Sequence, residues 1–153
     1  MHLILWRHAE AEDYTTSDLA RRLTARGHRD AQAIAKWLKL RLESSAVILA
    51  SPTARTMQTV ETLTDQYRTV RELAPGGGGV VEVLAAAGWP EGIAPTVVLV
   101  GHQPTLGAVV ARLLSCSNDS WSLKKGGLIW LQSRSREGGI QASLRAALSA
   151  ELV

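Results

Sequence analysis

Apolar residues enter this chain in short unbroken runs. Leu3-Ile4-Leu5-Trp6, Val47-Ile48-Leu49-Ala50 and Val97-Val98-Leu99-Val100 have the pattern of parallel strands buried on both faces. The second of these strands is expected over 46–50 and the third over 96–100. Between them the period becomes helical. After Leu23-Thr24-Ala25-Arg26-Gly27, the residues Ala31, Ile34, Ala35, Leu38 and Leu42 form one apolar stripe. Met57, Val60, Leu63 and Tyr67 predict the buried face of a helix after the second strand, with Pro52 in its first turn. A short helix is expected over 80–87. Leu106, Val109, Val110, Leu113 and Leu114 predict another, opened by Pro104. Leu128 to Gln132 and Ile140 to Leu144 predict a late antiparallel pair joined by a turn over 134–139. Loops are expected over 10–18, 75–79 and 115–122, and a helix or frayed tail beyond 146.

Strands alternating with helices predict an α/β fold of three layers, with a mainly parallel central sheet and helices on both faces. Neither an internal repeat nor a linker interrupts the pattern, so one domain over 1–153 is expected. Composition mainly excludes. The single Cys116 cannot support an internal disulfide framework or a cysteine zinc site. No run approaches the ~18 apolar residues of a membrane span, and the first residues lack the features of a secretory signal. A cytoplasmic protein, a monomer with no membrane association, is expected. The net charge of +3 would suit any anion, but the Lys and Arg are scattered. Five Trp, two Tyr and no Phe, not interleaved with basic residues, make nucleic-acid binding an unexpected role.

The chemistry stands at the strand ends, where open α/β sheets place their ligands. The first run ends in Arg7-His8, the second runs through Ser51-Pro52 to Arg55, and the third ends in Gly101-His102. Each of these residues alone is compatible with a structural role. Together, two arginines and two histidines can grip a phosphoryl group and attack it. A histidine nucleophile needs one free ring nitrogen and the other N–H held by a hydrogen bond. Arginines hold phosphoryl oxygens and relieve their charge. Arg55 falls in the first turn of the expected helix, where free N–H groups already favour anions. His102 would complete the cradle as a cation or a hydrogen-bond donor. Asp13 and Asp18 do not stand at ligand spacing with His8, so neither metal nor cofactor is expected.

Arg7-His8-Ala9-Glu10, Ser51-Pro52-Thr53-Ala54-Arg55-Thr56 and Gly101-His102-Gln103-Pro104 resemble the three signatures of the histidine phosphatase superfamily. Within it the chain is similar to the small bacterial phosphohistidine phosphatases of the SixA type. That likeness includes Asp18-Leu19-Ala20-Arg21-Arg22-Leu23-Thr24-Ala25-Arg26-Gly27 and Glu72-Leu73-Ala74-Pro75-Gly76. The resemblance implies a phosphoglycerate mutase-like fold and a phosphohistidine intermediate on His8, with Arg7, Arg55 and His102 holding phosphoryl oxygens. It implies a further basic residue near the pocket at Arg21. The backbone N–H of Gln103 is a further candidate donor, and Ser51 is open to bonding either loop or phosphate. The implied partner is a histidine-phosphorylated protein, by resemblance a histidine-containing phosphotransfer domain.

The chain departs from larger superfamily members in one respect. Their loop between the second and third main strands carries a carboxylate that protonates an alkoxide leaving group, whereas Ala74 to Gly79 here contains none. Glu72 and Glu82 flank the gap, and Glu10 or Glu12 could enter from the first loop. Imidazole leaves as a neutral ring whose conjugate acid has a pKa of about 6.5, while water, the parent of a hydroxyl leaving group, has about 15.7. A phosphoramidate therefore needs little enzymic acid. A small-molecule phosphomonoesterase and a phosphohistidine-binding module with little turnover are the alternatives. The glycine run at 76–79 lacks the Gly-Lys-Ser/Thr ending of a nucleotide loop.

Overall fold

A computed structural model of the chain describes residues 1–13 and 16–153. Six strands form one sheet: β1 (His2–Arg7), β2 (Val47–Ala50), β3 (Arg68–Thr69), β4 (Thr96–Gly101), β5 (Leu128–Arg136) and β6 (Gly139–Leu148), in the order β3-β2-β4-β1-β5-β6. The first four run parallel, and β5 and β6 are antiparallel additions beside β1. Among the described residues, four α-helices accompany them: α1 (Ala25–Lys39), α2 (Ala54–Glu61), α3 (Val80–Ala87) and α4 (Thr105–Ser115).

Strand periodicity sends alternate side chains to opposite faces of the sheet. Ile4, Trp6, Ile48, Ala50, Val98 and Val100 meet Ala31, Ile34, Ala35 and Leu38 of α1 and Val60 of α2. Leu3, Leu5, Leu49, Val97 and Leu99 meet Val83 and Ala87 of α3 and Leu106, Val109 and Val110 of α4. The sheet is thus the middle of three layers, in agreement with the expected fold class. Thr24 caps α1 by accepting the Gly27 N–H at 2.9 Å, and Gly88 in the left-handed region closes α3.

Several local expectations need correction. Pro52 lies before the α2 cap residue Thr53 and not inside the helix. The buried face of α2 is Arg55, Thr56, Thr59 and Val60. Met57 is half-buried, and Leu63 and Tyr67 lie beyond the helix end. The threonines can be buried because their hydroxyls donate to backbone carbonyls, Thr59 to Arg55 and Thr56 to Ser51, both at 2.7 Å. Leu42 packs against the core from beyond the end of α1. The short β3 was not expected. The late pair is longer than its apolar part, pairing Arg136 with Gly139 across a tight turn that uses positive φ at Gly138 and Gly139. The first loop contains a short turn, Asp18–Ala20, and a bridge between Ala11 and Leu23. Tyr14 and Thr15 of that loop lie outside the described residues. The chain finishes in a single turn, Ala150–Leu152. No helix among the described residues is long and apolar enough to cross a membrane.

Candidate active site

β2, β4 and β1 lie side by side, with Ala50 in register with Val100 and Arg7 with Gly101. Ser51, His102 and His8 therefore leave the sheet beside one another at its carboxyl edge. The exits are stitched together: the His8 N–H donates to Gly101 O at 3.0 Å, Ser51 N–H to Val100 O at 2.9 Å, and Arg7 N–H to Gly127 O at 2.9 Å. Gly126, at positive φ, approaches Ala9 and donates its N–H to His8 O at 2.9 Å.

The His8 ring is 7% exposed, and its Nδ1 lies 2.7 Å from Ala9 O. A carbonyl can only accept, so Nδ1 carries the proton and Nε2 keeps its lone pair. Burial lowers the His8 pKa to about 3, against the raising effect of the Ala9 bond and with the neighbouring His102, Arg55 and Arg7 lowering it further. Nε2 of His8 is thus unprotonated at neutral pH. The His102 ring centroid lies 5.1 Å from that of His8. Burial lowers its pKa to about 4, with Arg55 and Arg7 adding to the effect and Asp18 opposing it. Burial thus favours the neutral imidazole of His102.

Arg7 Nη1 donates to Leu123 O at 2.6 Å. Arg55 Nη1 donates to Asp18 O at 2.6 Å, and its Nη2 to Asp18 Oδ2 at 3.0 Å. Nε of each arginine and Nδ1 of His102 are buried without a hydrogen-bond partner among the described residues. Buried polar groups are nearly always satisfied, so two arginine donors and an imidazole nitrogen left unpaired point to a polar ligand that binds there. Thr59 Oγ1 accepts the Ala9 N–H at 3.1 Å while donating to Arg55 O, which ties the His8 loop to α2.

The remaining candidates have partners of their own. Ser51 is fully buried, with Oγ 2.8 Å from His102 Nε2. The Gln103 side chain bridges Trp121 O and the Gly107 N–H at 2.7 and 2.9 Å, so it braces the 117–123 loop. Arg21 donates to Glu12 O at 2.5 Å and to Asp18 Oδ1 at 3.2 Å. Glu10 accepts from Thr24 Oγ1 at 2.9 Å, Glu72 pairs with Arg71, and Glu82 accepts the Gly79 N–H at the start of α3. Among the described residues, no hydrogen bond or ion pair joins Glu10, Glu12, Glu72 or Glu82 to Arg7, His8, Arg55 or His102. No group of three His, Cys, Asp or Glu side chains there could hold a metal ion. Sequence reasoning missed Asp18, Thr59 and the Leu123 carbonyl as parts of this site. The spacing of Asp18 and Arg21 is a weak signal for an ion pair, but a backbone carbonyl carries none.

A model of the histidine phosphatase superfamily (branch 1) matches residues 3–76. Over 120 residues, 74% of each chain, the sequence is 32% identical to the phosphohistidine phosphatase SixA of Escherichia coli K12. The chain belongs to the histidine phosphatase superfamily. It is also 30% identical over 133 residues to the SixA homolog of Haemophilus influenzae, covering 77% of this chain and 80% of that one. As a superfamily member of the SixA type, it is a hydrolase. Its fold matches the structure of the protein histidine phosphatase SixA complexed with tungstate, at a TM-score of 0.83, 24% identity and 99% coverage of both chains. The histidine phosphatase motifs noted in the sequence are those whose side chains converge at the carboxyl edge of the sheet.

Proposed function

We propose that the protein is a metal-independent phosphatase that removes phosphate from histidine-phosphorylated proteins through a phospho-His8 intermediate. Arg7, Arg55 and His102 hold the phosphoryl oxygens through Nε of each arginine and Nδ1 of His102, which are buried without a hydrogen-bond partner among the described residues. Nε2 of His8 attacks phosphorus while the bond from phosphorus to the substrate nitrogen breaks. The substrate imidazole, already protonated on its other nitrogen, leaves as a neutral ring. The positive charge that develops on His8 is stabilised through Nδ1–H to Ala9 O. Water then attacks the phospho-His8 phosphorus, and His8 is regenerated as phosphate and a proton depart.

One observation carries the substrate class: among the described residues, no protonated carboxylic acid is bonded to the cradle to supply a proton to a poor leaving group. Asp18 is the one carboxylate bonded to a cradle arginine among the described residues. Its hydrogen bond from Arg55 holds it below the usual carboxylate range, so it is ionised and has no proton to give. The SixA relatives are named for the same substrate class. Because the substrate is a protein, a phosphotransfer domain is the natural partner.

Phosphate release from a histidine-phosphorylated phosphotransfer domain and from an alkyl phosphate, side by side with excess chelator, tests this reading. The expected result is strong preference for the phosphohistidine, insensitivity to chelator, and no turnover by His8→Ala. Equal turnover of the alkyl ester, or full activity of His8→Ala, would overturn it.

A further inference from the structure

The loop before α1 enters the site through Asp18. The Asp18 carboxylate bridges two arginines, with Oδ2 3.0 Å from Arg55 Nη2 and Oδ1 3.2 Å from Arg21 Nη1, while its own carbonyl takes Arg55 Nη1. A guanidinium has two usable edges: a terminal one, Nη1 with Nη2, and a lateral one, Nε with Nη2. Asp18 occupies the terminal edge of Arg55. The buried Nε has no partner among the described residues, so the lateral edge is the one left for a phosphoryl group. Arg7 is held in the same way, its Nη1 tied to Leu123 O and its Nε unpartnered. The difference lies in the tether. Arg7 is held by backbone alone, whereas Arg55 is also held by a charged side chain that carries Arg21 with it.

We infer that Asp18 is a positioning residue for the phosphatase reaction. It fixes the Arg55 guanidinium with its lateral edge toward the phosphoryl group and couples Arg21 to that arrangement. This inference rests on the phosphatase reading above. Because the Asp18 side chain is 55% exposed, its charge is screened by water, and its effect on an anion is exerted mainly through the geometry of Arg55.

Charge alone and positioning predict opposite results. Removing a carboxylate beside an oxyanion site tightens anion binding if only charge matters. It weakens binding if the carboxylate aims the donor that grips the anion. The experiment is calorimetric binding of tungstate and orthophosphate to the full-length protein, Asp18→Ala, Asp18→Asn, Arg21→Ala and Asp18→Ala/Arg21→Ala, with thermal melts and steady-state kinetics alongside. Asp18→Ala and Asp18→Asn are expected to weaken tungstate by about fivefold to tenfold, as loss of a charge-assisted bond implies. KM is expected to rise with it, with little change in melting temperature. Arg21→Ala is expected to add little once Asp18 is gone. Unchanged or tighter oxyanion binding by Asp18→Ala, or fully additive effects of the pair, would overturn the positioning role. A parent protein that binds tungstate but releases no phosphate would sink the phosphatase reading while the binding comparison still decides the role of Asp18. A parent that binds neither anion would overturn both.

Discussion

The hydroxyl of Ser51 lies 2.8 Å from Nε2 of His102, with both groups buried. Either atom could donate, but the other imidazole nitrogen, Nδ1, has no partner among the described residues. If Nδ1 donates to phosphate, Nε2 must accept, and the Ser51 O–H holds His102 in that tautomer. Ser51→Ala would leave Nε2 buried and unbonded, at a cost of about 1–3 kcal/mol. The expected result is roughly a tenfold or larger fall in kcat/KM, with the fold retained. Steady-state kinetics with a circular-dichroism melt would check this, and wild-type kcat/KM would refute the role.

Acid should reveal the two buried histidines. Burial lowers His8 to about 3 and His102 to about 4, from ordinary values of 6.5. Between those values and 6.5 the unfolded chain binds more protons than the folded one. Their contribution to stability is therefore full above 6.5 and is lost as pH falls toward 3–4, by up to about 1.4 kcal/mol per pH unit for each histidine. Urea unfolding at stepped pH should show this slope, and a double substitution of both histidines should flatten it. For the same reason the free protein should retain an unprotonated nucleophile at pH 5. A kcat/KM profile falling with a pKa near 6.5 would contradict this, provided the substrate itself does not titrate there.

Lysine should not replace either cradle arginine. Arg7 and Arg55 each use one terminal nitrogen for a backbone carbonyl while Nε remains for a ligand. A lysine ammonium is a single point of donation and cannot hold both edges. Arg7→Lys and Arg55→Lys are each expected to lose on the order of a hundredfold in kcat/KM. Near-normal turnover by either variant would mean that charge, and not the two-edged geometry, holds the phosphoryl group.

Gly107 packs so closely under the 117–123 loop that a Cβ there would collide with the Trp121 carbonyl, and the Gln103 side chain is beside it. Gly107→Ala is expected to cost about 1–3 kcal/mol through overpacking. By shifting the loop that supplies Leu123 O, it should also raise KM through Arg7. Thermal melts and kinetics should therefore change together. A loss of stability with unchanged KM would separate the loop from the cradle.

The core strands, α1 and α4 were legible because buried strands and amphipathic helices leave periodic apolar signals. Helix α2 was harder to read. Its buried Thr56 and Thr59 look polar in sequence, and only backbone carbonyls within reach make their burial affordable. The late hairpin was underestimated because its outer half is held by backbone pairing and a glycine turn, with little apolar patterning.

The amino-acid sequence by itself determined which chemistry the chain can bring: Arg7 and His8, Arg55, and His102, each placed at or following the end of a buried strand by local pattern. The tertiary structure decided how they meet. Strand order set β2, β4 and β1 side by side, burial made both histidines neutral, and a loop from elsewhere in the chain brought Asp18 onto Arg55. Apolar periodicity is a local property and survives in a linear text. Proton affinity, donor orientation and partnership with a distant carbonyl depend on what surrounds an atom in space, so they exist only once the chain has folded.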